Sequence, residues 1–443
     1  MITGVEDMKI GIVADDLTGA NATGVRLTKE GFTSATIVYS NEIPHSHPLE
    51  AVSIDTDSRY AADEVVVERV QRAMNSFEEW GAKIICKRID STARGKIGLE
   101  IDTVLNELGE NSVAIVVAAF PDSDRITSGG YLLVDSLPVQ ETDVAKDPLK
   151  PIEESYIPAI IAENSKNKIS HIGLNSVLRG EEALQKSLEK HIEQNNRIIV
   201  VDAVTEENIE VIAEAMASIE MNKSSSSLLV PVDPGPLTAF YASALSHRTT
   251  EIRKIIATIG SITSLSGKQL HYLVDKTHSS PVYVSAKKLA SLGSSWDEEV
   301  NRSVKNALAR IEEDDVLIIT TYADNEKLVD LAKVAKEENT TQDALAKRIT
   351  NGLAKITRLV MNETSYAIQG CFTSGGDVTA SLVAETEASG IRLEEEVMPL
   401  TAYGTMIGGH FPDLPMVTKG GMVGDKRSIF TSVRYLKTKR SGI

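Results

Sequence analysis

The chain is poor in cysteine, in aromatic residues and in long apolar runs, and each deficit excludes a class of protein. Only two of its 443 residues are cysteines, Cys86 and Cys371, and aromatic residues make up 5%. The two cysteines lie far apart in apolar segments, which predicts buried thiols rather than a disulfide framework or a zinc site. No apolar run approaches the roughly 18 residues of a membrane span, and the first residues lack the apolar core of a secretion signal. We therefore expect a soluble, cytoplasmic protein.

Basic residues are also in deficit. The chain carries 46 Lys and Arg against 63 Asp and Glu, which gives a formal net charge of −17. Such a surface disfavours nucleic acid and anionic membranes as partners. An anionic ligand must therefore meet a local basic cluster.

What is present is an alternation of apolar strands with helical patterns along the whole chain. Strand-like segments occur at residues 9–13, 83–89, 113–119, 254–259 and 316–321, with amphipathic stretches between them. This alternation predicts an α/β protein with largely parallel sheets.

A serine-rich break at residues 222–227 interrupts the alternation once. Polar, turn-rich stretches of this kind are typical of domain boundaries. We therefore predict two α/β domains, 1–225 and 226–443.

Three glycine turns follow strands in the second half, at Gly260–Ser261, at Gly375–Gly376 and at Lys419–Gly421. Glycine lets the chain turn without a Cβ, and the helix that follows offers unpaired N–H groups to a phosphate. A single such turn occurs in any α/β protein, but three together indicate one nucleotide site. The segment "GSITSLSGKQ" is not a P-loop, because six residues separate its glycines and Gln269 follows the lysine.

Two carboxylates follow the first predicted strand, in "KIGIVADDLTGA", where Asp15 and Asp16 precede a helix. Side chains at the carboxyl ends of parallel strands face the crevice in which ligands bind. One of the pair could accept a proton from a substrate hydroxyl, and the other could hold a metal or hydroxyl groups. The alternative is that one of them only caps the helix.

A cationic cluster follows the next apolar strand, in "CKRIDSTARGKIGLEI". Guanidinium groups beside Asp and Ser side chains suit a ligand that carries both a carboxylate or phosphate and hydroxyl groups. A solvated surface turn is the alternative. Arg59, in "SIDTDSR", could complete the same pocket, and the long stretch from "FPDSDR" to "DPLKP" is predicted to be a functional cover. His45, His47 and His410 lack catalytic partners, and no nucleophile elbow or zinc spacing is present.

Seven segments in this order resemble the motifs of the four-carbon acid sugar kinase family, and the resemblance spans nearly the whole chain. They are "ADDLTGA", "DSTARG", "FPDSDR", "SLPVQET", "GSITSLSGKQ", "SGGDVT" and "TKGGMVGD". Two departures from the family pattern occur. Asp124 stands where the family usually has Gly, and Thr263 and Ser266 stand where it usually has Ser and Thr.

The resemblance implies an N-terminal domain that binds a sugar acid, a C-terminal domain that binds ATP, and an active site in the cleft between them. The sugar-acid residues implied by position are Asp16, Arg59, Lys87, Asp90, Ser91 and Arg94. The implied ATP residues are Ser261, Gly375, Gly376, Asp377, Val378, Thr379 and Gly420, to which charge and placement add Lys419, Gly421 and Asp425.

The predicted reaction is transfer of the γ-phosphoryl group of Mg²⁺-ATP to the terminal hydroxyl of a threonate, an erythronate or a 3-oxo-tetronate. Asp16 is the predicted base and Asp15 the second choice, while the metal ligands are left open. An ATP-dependent carboxylate ligase and a non-catalytic nucleotide-gated binding protein remain alternatives. The sequence leaves open which acid is used and whether the chain forms a homodimer.

Overall fold

The computed structural model describes residues 8–38, 42–44, 48–146, 151–222, 227–249, 253–261, 263–322 and 329–439. The chain divides into two compact units, Met1–Thr250 and Glu251–Ile443, and each has its own sheet and its own apolar cores. The histidines His45 and His47, the start of "DPLKP" and the predicted boundary at 225 and 226 lie outside the described residues.

The first unit is built on eight parallel strands with helices on both faces. In chain order its strands are β1 (Ile10–Ala14), β2 (Ser34–Val38), β3 (Ala51–Asp55), β4 (Ile84–Arg88), β5 (Ser112–Val116), β6 (Arg125–Ser128), β7 (Tyr131–Val134), β8 (Leu137–Pro138), β9 (Ile169–Ile172), β10 (Ile198–Val201) and β11 (Leu228–Asp233). Its helices are α1 (Leu17–Lys29), α2 (Asp63–Trp80), α3 (Ile97–Leu108), α4 (Ile157–Ala162), α5 (Leu174–Val177), α6 (Glu181–Glu193), α7 (Glu206–Asn222) and α8 (Pro236–Thr249). The parallel sheet has the order β2-β3-β1-β4-β11-β5-β10-β9, and β6, β7 and β8 form a small antiparallel sheet.

Side chains of the central strands alternate between two buried apolar cores. Ile10 and Ile12 of β1 belong to one core, which includes residues of α7 and α8, whereas Val13 belongs to the other, with α2 and α3. This alternation follows from strand geometry, and burial on both faces explains why the strands are continuously apolar. The same alternation makes Lys87 and Arg88, the last two residues of β4, point to opposite faces of the sheet.

The first unit extends beyond the predicted boundary. Strand β11 follows the serine-rich stretch and lies between β4 and β5 of the first sheet, and α8 then packs against α7. The break at 222–227 therefore precedes the last strand of this unit instead of separating two domains. The reason is that β11 completes the parallel sheet by pairing with β4 and β5, which come much earlier in the chain.

The second unit is also an α/β layer structure. Its strands are β12 (Lys254–Ile259), β13 (Val282–Tyr283), β14 (Val316–Thr320), β15 (Ile368–Ser374), β16 (Gly390–Met398), β17 (Thr401–Ile407) and β18 (Pro415–Lys419). Its helices are α9 (Ser264–Thr277), α10 (Ala286–Leu289), α11 (Ser295–Glu313), α12 (Leu331–Glu337), α13 (Gln342–Glu363), α14 (Gly376–Glu385) and α15 (Ser428–Thr438). The sheet order is β13-β14-β12-β15-β18-β17-β16. Strand β17 pairs antiparallel with both β16 and β18, and all other neighbouring strands are parallel.

The prediction of two α/β domains with largely parallel sheets is confirmed. Cys86 and Cys371 are free, buried thiols inside strands, as the sequence indicated, and burial raises the pKa of Cys371 to about 12. Within the described residues, no helix combines the length and the apolar character needed to cross a bilayer.

Candidate active site

The carboxyl ends of three neighbouring strands bring the predicted charged residues of the first unit together. Strand β1 pairs in parallel with both β3 and β4, so that Ala14 lies beside Asp55 on one side and Arg88 on the other. The residues that follow these strands must therefore share one edge of the sheet. They are Asp15 and Asp16 after β1, Ser58 and Arg59 after β3, and Asp90, Ser91 and Arg94 after β4.

Carboxylates and guanidiniums alternate in this charged cluster. Arg59 Nε donates to Asp15 Oδ2 at 2.6 Å, and its Nη2 lies 2.9 Å from Asp16 Oδ1 and 3.4 Å from Asp90 Oδ1. Arg88 Nη1 donates to Asp15 Oδ1 at 3.0 Å and to Asp16 Oδ1 at 2.9 Å. Burial acts to lower the pKa of Arg59, but the carboxylates of Asp15, Asp90 and Asp16 together leave that pKa above its usual value.

Asp16 combines a structural role with an available oxygen. Its Oδ1 caps helix α1 by accepting a hydrogen bond from Gly19 N at 2.9 Å, as the helix-cap alternative predicted. Its Oδ2 accepts no hydrogen bond from the described part of the chain. The Asp16 side chain is 28% exposed, whereas that of Asp15 is 2% exposed and is held by Arg59 and Arg88. Asp16 is therefore the member of the pair that can meet a ligand.

Asp90 and Arg94 form a bidentate pair at the start of the turn. Arg94 Nε donates to Asp90 Oδ2 at 2.8 Å and Arg94 Nη2 donates to Asp90 Oδ1 at 3.0 Å, while the Thr92 hydroxyl donates to Oδ2 at 2.5 Å. Burial alone would raise the pKa of Asp90, but these hydrogen bonds and the charge of Arg59 hold it far below its usual value. The Arg94 side chain is 26% exposed, and Ser91 lies half-buried in the same turn.

Arg88 belongs to the predicted cationic segment but was not among the residues selected for the site, and the structure places it in the charged cluster. Its guanidinium lies against the first turn of α1, where a Cβ on Gly19 would come within 1.9 Å of Arg88 Cζ. Glycine at position 19 therefore makes room for the cation. The available signal was this glycine in the first turn of a helix, since glycine there is unfavourable unless something must approach the backbone.

Lys87 lies beneath the cluster, which corrects the expectation that it contacts the ligand. It is completely buried, and Nζ pairs with Glu100 Oε2 at 3.0 Å and donates to the carbonyl oxygens of Arg88 at 2.7 Å and Val13 at 3.4 Å. The Ser58 hydroxyl donates to Glu100 Oε1 at 2.5 Å. Burial raises the pKa of Glu100, although the Lys87 charge opposes this. Because neighbouring side chains on β4 point to opposite faces, Lys87 meets α3 while Arg88 meets α1.

The predicted cover after β5 contains the small antiparallel sheet instead of being wholly irregular. Asp124 ends the turn that leads into it with φ +57°, in the left-handed region that favours glycine. Aspartate is among the residues that tolerate this region, so the departure from the family pattern keeps the turn. Asp202 accepts hydrogen bonds from Gly129 N at 2.7 Å and Gly130 N at 2.9 Å, which ties the hairpin to the end of β10.

In the second unit the three glycine turns are joined directly. Strands β12, β15 and β18 are neighbours, and Gly260 N donates to Ser374 O at 3.2 Å while Gly375 N donates to Lys419 O at 2.9 Å. Gly260 also allows close packing, because a Cβ there would come within 2.3 Å of Val378 Cγ2. The three turns thus lie side by side at one edge of the sheet.

The amino end of α14 exposes unpaired backbone donors. Gly375 has φ +110° and supplies no side-chain cap, and the N–H groups of Gly376, Asp377 and Val378 donate to no acceptor in the described part of the chain. A Cβ on Gly376 would meet nothing within 4 Å. Ser374 has a buried hydroxyl without a partner among the described residues. Such a helix start, with its positive dipole end, is suited to an anion.

The loop after β18 is held against the start of α9. Gly421 O accepts from Thr263 Oγ1 at 3.1 Å and from Ser266 Oγ at 2.9 Å, and a Cβ on Gly421 would come within 2.3 Å of Ser261 Oγ. Lys419 Nζ donates to the carbonyl oxygens of Gly420 at 2.8 Å and Val423 at 3.2 Å. Burial lowers the pKa of Lys419 to about 8.

Asp425 ends this loop, and one of its carboxylate oxygens accepts hydrogen bonds from residues at the start of helix α15. Its Oδ1 accepts from Arg427 N at 2.9 Å and from Ser428 Oγ at 3.1 Å. Burial would raise the pKa of Asp425, but these hydrogen bonds and the charge of Arg427 lower it. These contacts hold Asp425 in the turn that precedes α15, with its Oδ2 3.7 Å from Arg427 Nε.

A cavity of about 600 Å³ adjoins the Gly376 turn. Its polar end is formed by Gly376, Thr379, Thr418, Lys419 and Gly420, and its apolar wall by Ala380, Val383, Ala384, Ala388, Ile391, Leu400 and Ala402. The sequence did not predict this wall, because three of its seven residues, Ile391, Leu400 and Ala402, come from the antiparallel hairpin β16–β17, which pairs beside β18. Across the described residues, no group of three or more His, Cys, Asp or Glu side chains could hold a metal ion.

Comparisons with known proteins distinguish the same two parts of the chain. The chain matches two protein-family models, described as the sugar-binding N-terminal domain over residues 10–240 and the nucleotide-binding C-terminal domain over residues 256–429. It is 39% identical to the D-erythronate kinase of Heliobacterium modesticaldum over 436 residues, 97% of each chain. It is 28% identical to the D-threonate kinase of Salmonella typhimurium, over 98% of this chain and 100% of that one.

A similar crystal structure comes from Bordetella bronchiseptica, a domain of unknown function with bound citrate that forms a domain-swapped dimer. It superposes with a TM-score of 0.72 at 24% sequence identity, covering 97% of this chain and 99% of that one. At this identity the likeness establishes the shared fold.

Proposed function

The chain belongs to the four-carbon acid sugar kinase family, and from this premise we propose that it transfers the γ-phosphoryl group of ATP to the terminal hydroxyl of D-erythronate or a close stereoisomer. That it is an ATP-dependent kinase of four-carbon sugar acids follows from the family. The observation that supports the proposed mechanism is that Asp16 Oδ2, which accepts no hydrogen bond from the described part of the chain, belongs to a carboxylate beside a cluster of guanidiniums. D-erythronate is the first choice because the relative with 39% identity uses it.

The sugar acid binds the charged cluster in this proposal. Arg94, the most exposed of its three guanidiniums, takes the carboxylate, and Arg59 adds a second positive charge. Asp90 accepts hydrogen bonds from the hydroxyl groups, and the Ser91 hydroxyl accepts or donates them. The carboxylates of Asp15, Asp16 and Asp90 already balance the three guanidiniums, so the acid binds by a directed contact to Arg94 rather than by an excess of positive charge.

Asp16 acts as the base. The substrate hydroxyl oxygen forms a bond to the γ-phosphorus, the bond from that phosphorus to the bridging oxygen breaks, ADP leaves, and the hydroxyl proton passes to Asp16 Oδ2. Arg59 and Arg88 hold the other oxygen of Asp16, which fixes the direction in which Oδ2 faces. Phosphoryl transfer asks little covalent chemistry of a protein, so this positioning supplies most of the rate enhancement.

ATP binds the glycine turns of the second unit. Its phosphates take hydrogen bonds from the free N–H groups of α14 and of Gly420 and Gly421, and Lys419 supplies a positive charge. The adenine ring lies against the apolar wall formed by α14 and the β16–β17 hairpin, where small alanine side chains leave room for a flat ring.

Magnesium enters with ATP. Mg²⁺ usually takes only one or two protein carboxylates and completes its shell with phosphate oxygens and waters, so the second unit needs no ready-made metal cage. Asp377, exposed at the start of α14, is the carboxylate we assign to it. The ion would neutralise charge on the phosphates.

Lys87 and Glu100 are positioning residues in this scheme. Their buried pair joins β4 to α3, and Ser58 extends it to the loop that carries Arg59. Removing either charge would therefore shift the guanidiniums above it. Cytoplasmic location and a homodimer remain predictions, the latter in keeping with the dimeric relative.

The proposal is tested by an assay of ADP release with Mg²⁺-ATP and a panel of D- and L-erythronate, D- and L-threonate and their 3-oxo forms. We expect the highest kcat/KM with D-erythronate and a phosphorylated product. Release of AMP would favour the ligase alternative. ATP binding without turnover on any acid would favour a non-catalytic binding protein.

A further inference from the structure

We propose that Gln269 on α9 is a positioning residue for the nucleotide, because it holds the loop after β18 in the orientation that presents its N–H groups to phosphate. This inference rests on the proposed nucleotide site. Gln269 belongs to the segment "GSITSLSGKQ", whose glutamine has no role in the scheme above. It is 0% exposed, so it acts on a ligand only through what it contacts.

The contacts of Gln269 are both with carbonyl oxygens of the loop. Its Nε2 donates to Val423 O at 3.0 Å and to Asp425 O at 2.7 Å. Its Oε1 is buried and accepts no hydrogen bond from the described residues. A buried acceptor left unpaired costs roughly 1–3 kcal/mol. An apolar side chain would fill this space without that cost, so the glutamine is explained by its donors and not by packing.

Gln269 completes a set of side-chain donors that hold four loop carbonyls. Lys419 holds the carbonyls of Gly420 and Val423, and Thr263 and Ser266 hold that of Gly421. Together with Gln269, these donors turn the carbonyls of residues 420, 421, 423 and 425 toward the protein.

The orientation of the carbonyls determines where the N–H groups point. In a trans peptide the C=O and the next N–H face in opposite directions. The N–H groups of Gly421, Met422 and Gly424 therefore point away from the donors, and they donate to no acceptor in the described part of the chain. Successive N–H groups on the same side of a turn form an anion-binding concavity. The loop thus becomes a second phosphate contact beside the start of α14.

The test compares Gln269→Glu with a matched control, Gln369→Glu. Gln369, at the start of β15, also donates from Nε2 to two main-chain carbonyls, at 2.7 Å to Lys437 O and 3.2 Å to Lys439 O, but it lies at the end of the strand opposite to the glycine turn. Both substitutions remove an amide group that donates hydrogen bonds to two main-chain carbonyl oxygens, and both keep the shape of the side chain. Only the first one changes the phosphate loop.

The readouts are the Kd of a non-hydrolysable ATP analogue by calorimetry, the KM values for ATP and for the sugar acid, and Tm. We expect Gln269→Glu to raise the Kd and the KM for ATP by about tenfold or more, the worth of one charge-assisted hydrogen bond. The KM for the sugar acid should not change. Gln369→Glu should leave both KM values unchanged and should lower Tm by a smaller amount than Gln269→Glu does, because Gln369 is only partly buried.

Equal nucleotide affinity in the wild type and in Gln269→Glu would overturn the inference, and so would a loss matched by Gln369→Glu. If Gln269→Glu does not fold, Gln269→Met removes the same donors without placing a carboxylate against two carbonyls, and the same outcomes apply. Failure of the wild type itself to bind the analogue would instead remove the proposed nucleotide site.

Discussion

In the proposed function, the two units bind anions with different parts of the protein. In the first, charge comes from side chains, because guanidiniums after β3 and β4 alternate with carboxylates after β1 and β4. In the second, the groups that face the ligand are mostly main-chain N–H groups at glycine turns, with one lysine. A site of side chains depends on the packing beneath it, whereas a site of backbone depends on small residues and on whatever holds the loop.

The difference has a consequence for substitutions. Changes beneath the first site should act through charge, and a conservative exchange there can be costly because a buried partner is lost. Changes in the second site should act through volume, since even a methyl group occupies the space that phosphate needs. The following experiments set these two modes of failure against each other.

The largest effect is expected at Asp16, where charge and catalysis coincide. Asp16→Asn keeps a good helix cap but removes the base, so kcat should fall by roughly 10²–10⁴-fold, with smaller changes in both KM values. Steady-state kinetics measures this. Asp330→Asn, the same exchange at the cap of α12, is the control and should leave kcat unchanged. An undiminished kcat in Asp16→Asn would remove Asp16 from the role of base.

Glu100→Gln tests the packing beneath the charged cluster. It leaves the buried Lys87 ammonium without its counter-charge, which should cost about 3–5 kcal/mol of unfolding free energy and raise the KM for the sugar acid but not for ATP. Chemical denaturation and kinetics are the measurements. Glu299→Gln, a buried carboxylate of the second unit whose cationic partners are partly exposed, should cost less and change neither KM. Equal effects of the two variants would argue against a positioning role for Lys87 and Glu100.

Gly376→Ala tests the backbone site by volume alone. A Cβ at this position meets no protein atom within 4 Å, so the fold should be unaffected. The methyl group would, however, occupy the space that we propose for a phosphate oxygen. We expect the KM for ATP to rise by about tenfold or more, with Tm unchanged. Gly293→Ala, where the nearest atom is Ser291 Oγ at 3.5 Å, is the matched control. Normal ATP binding by Gly376→Ala would place the phosphates elsewhere.

The smallest effect is a pH dependence of the second site. Burial lowers the pKa of Lys419 to about 8 from 10.5, so its ammonium is charged below about pH 8 and neutral above it. The apparent affinity for ATP should therefore decline as the pH rises through about 8, by up to about tenfold. Stability should move in the opposite direction. Between about pH 8 and 10.5 only the unfolded chain keeps this proton, so the free energy of unfolding rises with pH.

Lys419→Met should abolish the break in ATP affinity near pH 8. The pH dependence of the sugar-acid KM serves as the internal control, since Lys419 belongs to the second unit and the charged cluster to the first. A break that persists in Lys419→Met would assign it to another group.

The charged cluster and the glycine turns could be predicted from sequence because both follow from local rules. Asp15 and Asp16 follow β1 directly, and Arg94 lies in the turn after β4. Polar residues that follow neighbouring parallel strands lie at the same edge of the sheet. The turn at Gly375 and Gly376 likewise depends only on the strand before it and the helix after it.

Features that depend on distant partners could not be predicted in this way. The burial of Lys87 needs Glu100 on another helix, and the place of Arg88 needs the space at Gly19. Because β11 lies between β4 and β5, the first unit ends later in the chain than the sequence predicted. Residues of the β16–β17 hairpin, which belong to none of the recognised motifs, line part of the cavity. In each case the partner is fixed by strand order, which local patterns do not contain.

The most direct test of the division between the two units is a calorimetric titration of Arg94→Ala with D-erythronate and, separately, with a non-hydrolysable ATP analogue. The account predicts that sugar-acid binding weakens by at least about tenfold, because a charge-assisted contact is lost, while the Kd of the nucleotide stays at its wild-type value. A comparable loss of nucleotide affinity, or undiminished binding of D-erythronate, would contradict it.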